Sequence, residues 1–171
     1  MAAGVKHHVA LSVVGTERLH DGAYFRAKLI HENMIKGSPI PYTIVRATQL
    51  FEFIDPIAQA GTDGDTVRVT HSLFQPLAAE DLASALAEVA LEAPRNGTVE
   101  IAGLDVFHLD ELVAKVLEHD KDPRNVVIDD PGGLFYGIEV DDQSLMPGRD
   151  ASIGSTTFDR WLTHRRSPQT S

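Results

Sequence analysis

The stretch VALSVVGTERLHDGAYFRAKL, Val9 to Leu29, decides how this chain is read. It opens on an apolar run, Val9-Ala10-Leu11, carries Ser12, continues through Val13-Val14 and breaks at Gly15. A run that is apolar at nearly every position and rich in valine is the pattern of a parallel strand covered on both faces. A polar loop follows, and then a helix whose first turns carry Tyr24 and Lys28. Residues four apart on a helix project from one face, so the phenol and the ammonium stand together. Ser12 precedes Tyr24 by twelve residues, on the strand that leads toward that helix. A hydroxyl, a phenol and an ammonium brought together make a proton-transfer site for a carbonyl or an alcohol.

Outward from this stretch, strands and helices alternate. Ala23 to Lys36 reads as the helix, with Ala23, Ala27, Ile30 and Met34 on one side and Phe25 and Leu29 on another. Two apolar sides suit a helix that packs on a sheet and on a second helix. Gly37-Ser38-Pro39 breaks it, and Tyr42 to Arg46 reads as the next strand. Gln49 to Ala60 reads as helix, kinked or ended by Pro56, and Thr66 to Val69 as a short strand. Glu80 to Leu91 is a strong helix with acids in its first turn, Thr98 to Ala102 a strand, Leu109 to Leu117 an amphipathic helix and Asn125 to Ile128 a strand. Asp129 to Ser155, rich in Gly, Asp and Pro, reads as a long ordered loop with short elements, and Thr156 to His164 as a closing helix. The pattern predicts an α/β fold. Its start, Ala2-Ala3-Gly4 running straight into a buried-type strand, reads like a helix end capped by Gly4, as if the chain were the second part of something longer.

Composition narrows the function. At 171 residues, 43% hydrophobic and 23% charged, the chain is expected to form one domain with a real core. A net charge of −10, from 25 acidic against 15 basic residues, repels phosphate backbones, so nucleic acid is not expected as a partner. With no cysteine there is no disulfide, thiolate metal site or cysteine nucleophile. No apolar run approaches the ~20 residues that span a bilayer, so no membrane partner is expected and a cytoplasmic setting is read. The eight histidines show no metal-ligand spacing, and no metal site is expected.

With these residues laid out, the chain resembles the C-terminal part of an atypical short-chain dehydrogenase/reductase of the NmrA-like, NAD(P)-binding type. The matching pieces are the Ser12 strand HVALSVVG, the Tyr24-x-x-x-Lys28 helix, the segment SPIPYTIVRATQLFEF from Ser38, the helix entry QPLAAEDLA from Gln75 and the strand NGTVEIAG from Asn96, in family order. The resemblance implies a partial Rossmann-like parallel sheet with flanking helices plus a small C-terminal substrate-side lobe. Residues 1–60 would form the second half of a Rossmann-like unit and residues 61–171 the lobe. It implies an oxidoreductase acting on a small-molecule carbonyl or alcohol with NAD or NADP. Tyr24 would be the general acid/base, and Lys28 would bind the nicotinamide ribose and lower the tyrosine pKa. Ser12 would hold the substrate oxygen, and Ala47, Thr48 and Gln49 would lie beside the nicotinamide.

The family's glycine-rich phosphate-binding turn is missing: no G-x-G-x-x-G occurs, and Gly61, Gly64, Gly132 and Gly133 lie in loops. Three readings therefore stand side by side: a reductase or its truncated substrate half, a non-catalytic dinucleotide-sensing or regulatory protein, and a truncated product that only folds or associates. Loss of the preceding strands would leave Val9–Val14 an unpaired apolar edge. That edge is expected to be covered by a homodimer through the strand or the Ala23–Lys36 helix, by strand exchange, or by the chain's own tail.

Overall fold

A computed structural model of the chain describes residues 4–129 and 134–165. In order it runs β1 (His8–Val13), α1 (Ala23–Lys36), β2 (Tyr42–Ala47), a 3-10 turn (Phe51–Phe53), α2 (Ile54–Ala60), β3 (Thr62–Asp63), β4 (Thr66–Val69), β5 (Leu73–Phe74) and α3 (Ala79–Leu91). It continues through β6 (Gly97–Ala102), β7 (Phe107–His108), α4 (Leu109–Asp120), β8 (Asn125–Ile128), β9 (Leu134–Phe135), β10 (Ile138–Glu139), β11 (Ser152–Ile153) and α5 (Phe158–His164).

The main sheet is four-stranded, in the order β1-β2-β6-β11, and every pairing in it is parallel. β1 and β2 pair in a register that sets Ser12 opposite Arg46 and Val13 opposite Ala47. Alternation along β2 sends Ile44 to one face, where it meets Ala10 and Ile35 of α1, and Val45 and Ala47 to the other, where they pack with Leu82 and Val89 of α3. The sheet is thus covered on both faces, as the apolar strand predicted, and the fold is α/β with a Rossmann-like parallel sheet.

The remaining elements build a lobe beyond the carboxyl ends of these strands. β3, β4 and β8 form a small sheet, β5 pairs with β7, and β9 with β10. Phe51, Ile54, Val67, Phe74, Leu112 and Val113 are buried in its core, each side chain worth about 1.5–3 kcal/mol of burial. Val13, Leu19 and Phe25 belong to the same core, so the β1–α1 unit and the lobe share one interior.

Several local readings need correction. Pro56 neither kinks nor ends the Gln49–Ala60 segment. It lies in the first turn of α2, where its missing N–H breaks no helical bond, and the turn before it is 3-10. Gly61–Asp65 is not a plain turn, because Thr62–Asp63 pairs back on Thr66–Val67. The 129–155 stretch does carry short elements, as read: a hairpin, β9–β10, and a fourth strand of the main sheet, β11, held by Asp81, whose Oδ2 accepts from the amides of Ser155 and Thr156 at 3.0 and 2.8 Å. β6 and β11 both come from beyond residue 60, so the sheet is not confined to residues 1–60. Helix α1 buries Phe25, Glu32 and Ile35, whereas Ile30 and Met34, on one of the two sides expected to pack, stay 61% and 71% exposed. Gly4 has a φ of +71°, the left-handed backbone of a cap, but the residues before it lie outside the described ones.

β1 has β2 as its sole partner strand among the described residues; the late strand β11 joins the opposite edge, against β6. Among the described residues no helix is long and apolar enough to cross a membrane.

Candidate functional site

The site is assembled around the junction of β1 and α1. After β1, Gly15 takes a φ of +90°, and a Cβ there would come within 2.7 Å of the Ser144 carbonyl, so only glycine lets the 144–146 turn approach. That turn is pinned by Arg18, whose Nη2 donates to the Met146 carbonyl at 2.7 Å. At the other end of the loop Arg26 donates to the carbonyls of His20 and Asp21 at 2.7 and 2.8 Å, closing the loop onto the first turns of α1.

Four residues at i, i+4 spacing then run along α1: Tyr24, Lys28, Glu32 and Lys36. Each step rotates about 40° round the helix, so the row winds from the exposed Tyr24 to the buried Glu32. Glu32 is 1% exposed and fully engaged. Ser12 Oγ donates to its Oε1 at 2.7 Å, Arg46 Nε and Nη2 clasp both oxygens at 2.9 and 2.8 Å, and Lys36 Nζ donates to Oε2 at 3.2 Å. Burial alone would raise the Glu32 pKa; the bonds from Arg46 and Ser12, the Arg46 charge and the Lys36 bond outweigh it and hold the carboxyl at about 2. The second edge of the Arg46 guanidinium reaches Glu17 Oε2 at 2.7 Å.

Of the residues singled out for catalysis, Tyr24 and Lys28 are brought together. Lys28 Nζ lies 5.8 Å from the centroid of the Tyr24 ring and donates to the Leu11 carbonyl, on the edge strand, at 3.2 Å. Burial pushes the Tyr24 phenol above its ordinary value, so the group is protonated at neutral pH. The Ser12 hydroxyl donates a hydrogen bond to the Glu32 carboxylate and is tied to the helix–sheet interior. Ala47, Thr48 and Gln49 follow the carboxyl end of β2. Ala47 accepts from the Val14 amide, Thr48 donates its amide to Ile101, and Thr48 Oγ1 is buried without a hydrogen-bond partner.

Gln49 faces a cavity of about 480 Å³ that Tyr24 also lines, closed by Phe25, Phe53, Phe135 and Tyr136. This is the usual place for a ligand in such a fold, outside the carboxyl ends of parallel strands. Among the described residues no charged side chain lines it. Three of its aromatics were missed by sequence reasoning, because Phe53 reads as helix and Phe135 and Tyr136 fall in the stretch without periodicity. A signal exists nonetheless: Phe135-Tyr136-Gly137-Ile138 has the length and the glycine of a two-residue hairpin. Tyr136 sits at a φ of +51° and Gly137 at +78°, a geometry that costs a non-glycine residue about 1–2 kcal/mol. A second cavity of about 450 Å³ lies between Glu52, Asp55, Trp161 and Arg165. Trp161 Nε1 donates to Glu52 at 3.0 Å and Arg165 Nη2 to Asp55 at 2.9 Å, while Arg165 Nη1 is buried without a hydrogen-bond partner.

The described residues fit one end of a dinucleotide better than the other. Lys28, the Tyr24 phenol, the orphaned Thr48 hydroxyl and the Gln49 amide are groups that could hold a nicotinamide and its ribose. A pyrophosphate calls for open backbone amides at a glycine-rich helix start. The start of α1 is not open: a Cβ on its cap residue Gly22 would collide with Ile138 of β10, which sits directly on it. Gly64 is in the β3–β4 turn, and Gly132 and Gly133 lie outside the described residues. No group of three or more potential metal ligands occurs among the described residues.

No protein-family model matches the sequence, and no curated protein matches it either. Solved structures do match in fold. An epimerase of Methanothermobacter thermautotrophicus superposes with a TM-score of 0.66 at 14% identity, over 94% of this chain and 58% of its own. An NADPH-dependent quinone oxidoreductase of Escherichia coli gives 0.66 at 20% identity, over 95% of this chain and 68% of its own. A Bordetella bronchiseptica enzyme in complex with NAD and UDP gives 0.64 at 17% identity, over 94% of this chain and 58% of its own. The chain thus spans less than two thirds of the length of the epimerase, and at these identities the likeness is one of fold.

The Glu32 geometry makes a prediction. Removing the charge by Glu32→Gln leaves Arg46 paired with Glu17 alone at close range and is expected to cost about 1–3 kcal/mol in denaturant unfolding. Because the folded carboxyl titrates near 2 against 4.5 when unperturbed, its contribution is complete above pH about 4.5 and is lost as pH falls toward 2. The acid slope of stability in that window should be shallower in Glu32→Gln than in the wild type. Equal slopes would show that the Glu32 carboxyl is not held as described.

Proposed function

We propose that the chain carries the proton-transfer and substrate side of an NAD(P)-dependent oxidoreductase of the short-chain dehydrogenase/reductase type, acting on a carbonyl or an alcohol. The observation that carries this reading is Tyr24 at the wall of an apolar cavity outside the carboxyl ends of a parallel sheet, with Lys28 Nζ behind it, 5.8 Å from its ring centroid. The fold neighbours named for NADPH-dependent reduction or bound NAD support it as analogy.

A nicotinamide cofactor, when bound, supplies the hydride. The chain's own residues manage the proton. Tyr24, protonated at neutral pH, donates its O–H proton to the carbonyl oxygen as that oxygen becomes an alcohol. The phenolate left behind is stabilised by the Lys28 ammonium, and in the reverse direction it takes the proton back. Thr48 and Gln49 offer a hydroxyl and an amide beside the nicotinamide, with Ala47 as the backbone that leads to them. The setting proposed is the cytoplasm.

A second reading, a non-catalytic dinucleotide-sensing protein, draws on two observations. The Ser12 hydroxyl is already engaged in a hydrogen bond to Glu32, and Ile138 covers the start of α1. Titration with NADPH up to millimolar concentration, followed by its fluorescence, separates the readings. The enzyme reading expects saturable binding weakened by Lys28→Met, and carbonyl reduction that Tyr24→Phe lowers about 10²–10⁴-fold with binding retained. Saturable binding without turnover would favour the sensor; no saturable binding would overturn both.

We further propose that the chain associates in pairs through the outer edge of β1 or the exposed Ile30 and Met34 of α1. Light scattering on a size-exclusion column is expected to give twice the chain mass. A clean monomer whose β1 amides exchange rapidly would contradict this.

A further inference from the structure

The cavity beside Tyr24 is lined by rings that the fold has left open to solvent. Tyr24 is 58% exposed, Tyr136 54% and Phe53 47%, although each is large enough to be buried at a gain. Two edge-to-face pairs stiffen this lining: Tyr24 on Phe25 with centroids 5.5 Å apart, and Phe135 on Tyr136 at 4.9 Å. Aromatic pairs of this kind leave ring faces free for a flat guest while fixing the rings in place. The polar groups are the two phenols and the Gln49 amide, all neutral.

Tyr136 is the residue the fold strains to present. It occupies the first position of the two-residue turn that joins the paired Phe135 and Ile138, where the backbone has positive φ and asparagine or glycine is the comfortable choice. Backbone strain of this kind persists where the surroundings enforce it, and it concentrates at ligand sites. Tyr136 is also the wall between two unlike cavities. Among the described residues no charged side chain lines the Tyr24 cavity, whereas the neighbouring cavity of about 320 Å³ holds Asp63, Arg68 and Asp129. A ring at that position separates an apolar ligand from the charged side.

We propose that the Tyr24 cavity takes an uncharged, flat aromatic carbonyl compound, and that the Tyr136 ring, held at the hairpin tip, selects it. This rests on the reading of Tyr24 as the proton donor and names the substrate class for that site. Phosphorylated and carboxylate-bearing carbonyl compounds are disfavoured, because among the described residues no cation lines the cavity to replace their hydration.

Calorimetric titration of the chain without cofactor, using 2-acetylnaphthalene, tests this independently of turnover. The ketone is expected to bind saturably and about tenfold or more tighter than either 2-naphthoate or cyclohexyl methyl ketone. Tyr136→Phe should retain that affinity. Tyr136→Asn restores an ideal Asn-Gly turn, so its melting temperature should rise by about 2–4 °C while the affinity falls about tenfold. Equal affinity for 2-naphthoate, or unchanged affinity in Tyr136→Asn, would overturn the proposal. Failure here with NADPH-dependent turnover intact would leave the oxidoreductase reading standing and remove only the substrate class.

Discussion

The buried ion pair between Glu32 and Arg46, with the Ser12 hydroxyl on the same carboxylate, is the constraint on which the β1–α1–β2 unit depends. A carboxylate removed from water costs several kcal/mol unless its lone pairs are filled, and here they are filled from β1, from β2 and from one turn along the helix. Apolar packing of Ile35 on Ala10 and Ile44 holds the helix on the sheet but leaves its rotation free to adjust. The bidentate Arg46 clasp does not allow that freedom, since its two parallel bonds fix the helix in both rotation and rise. Lys28 and Tyr24 stand one and two turns before Glu32, so the anchor that buries Glu32 also sets where the ammonium and the phenol stand.

From that anchor the site follows by proximity. Lys28 reaches back to the Leu11 carbonyl, and Tyr24 is left at the wall of the cavity that the lobe closes. The lobe meets the unit through Phe25 and Leu19 in the core and through Ile138 on Gly22, so the β9–β10 hairpin and the start of α1 are one packed surface. Strain at Tyr136 is tolerated because both strands of its hairpin are held in this way. The same packing that builds the aromatic wall covers the helix start, so the backbone amides there are closed to a pyrophosphate.

Much of the frame was legible because its signals are local. An all-apolar strand, a Tyr–Lys pair at helical spacing and a second apolar strand mark the βαβ unit, and acids at the start of α3 mark that helix. The ion pair was not legible. Glu32 and Arg46 look like surface residues in any one-dimensional pattern, and only the parallel register that sets Ser12 opposite Arg46 brings the three groups together. The exposure of Ile30 and Met34 was misread for the opposite reason: apolar periodicity reports that a face can be buried, and says nothing of whether a partner is there. The hairpin carrying Tyr136 escaped because two-residue strands have no period to detect.

We propose that this anchored helix presents Tyr24 and Lys28 for proton transfer. The chain has three tyrosines, Tyr24, Tyr42 and Tyr136, so labelling with ¹³Cζ-tyrosine yields a readable set of resonances, with Tyr24 assigned through Tyr24→Phe. The pH titration of the Tyr24 signal by NMR, alone and with saturating NADPH, is the most direct measurement. The account expects a midpoint above the ordinary tyrosine value in the free chain, falling when cofactor brings Lys28 to its working position. A Tyr24 midpoint at or below the ordinary value in the free chain, or one that NADPH leaves unmoved, would contradict it.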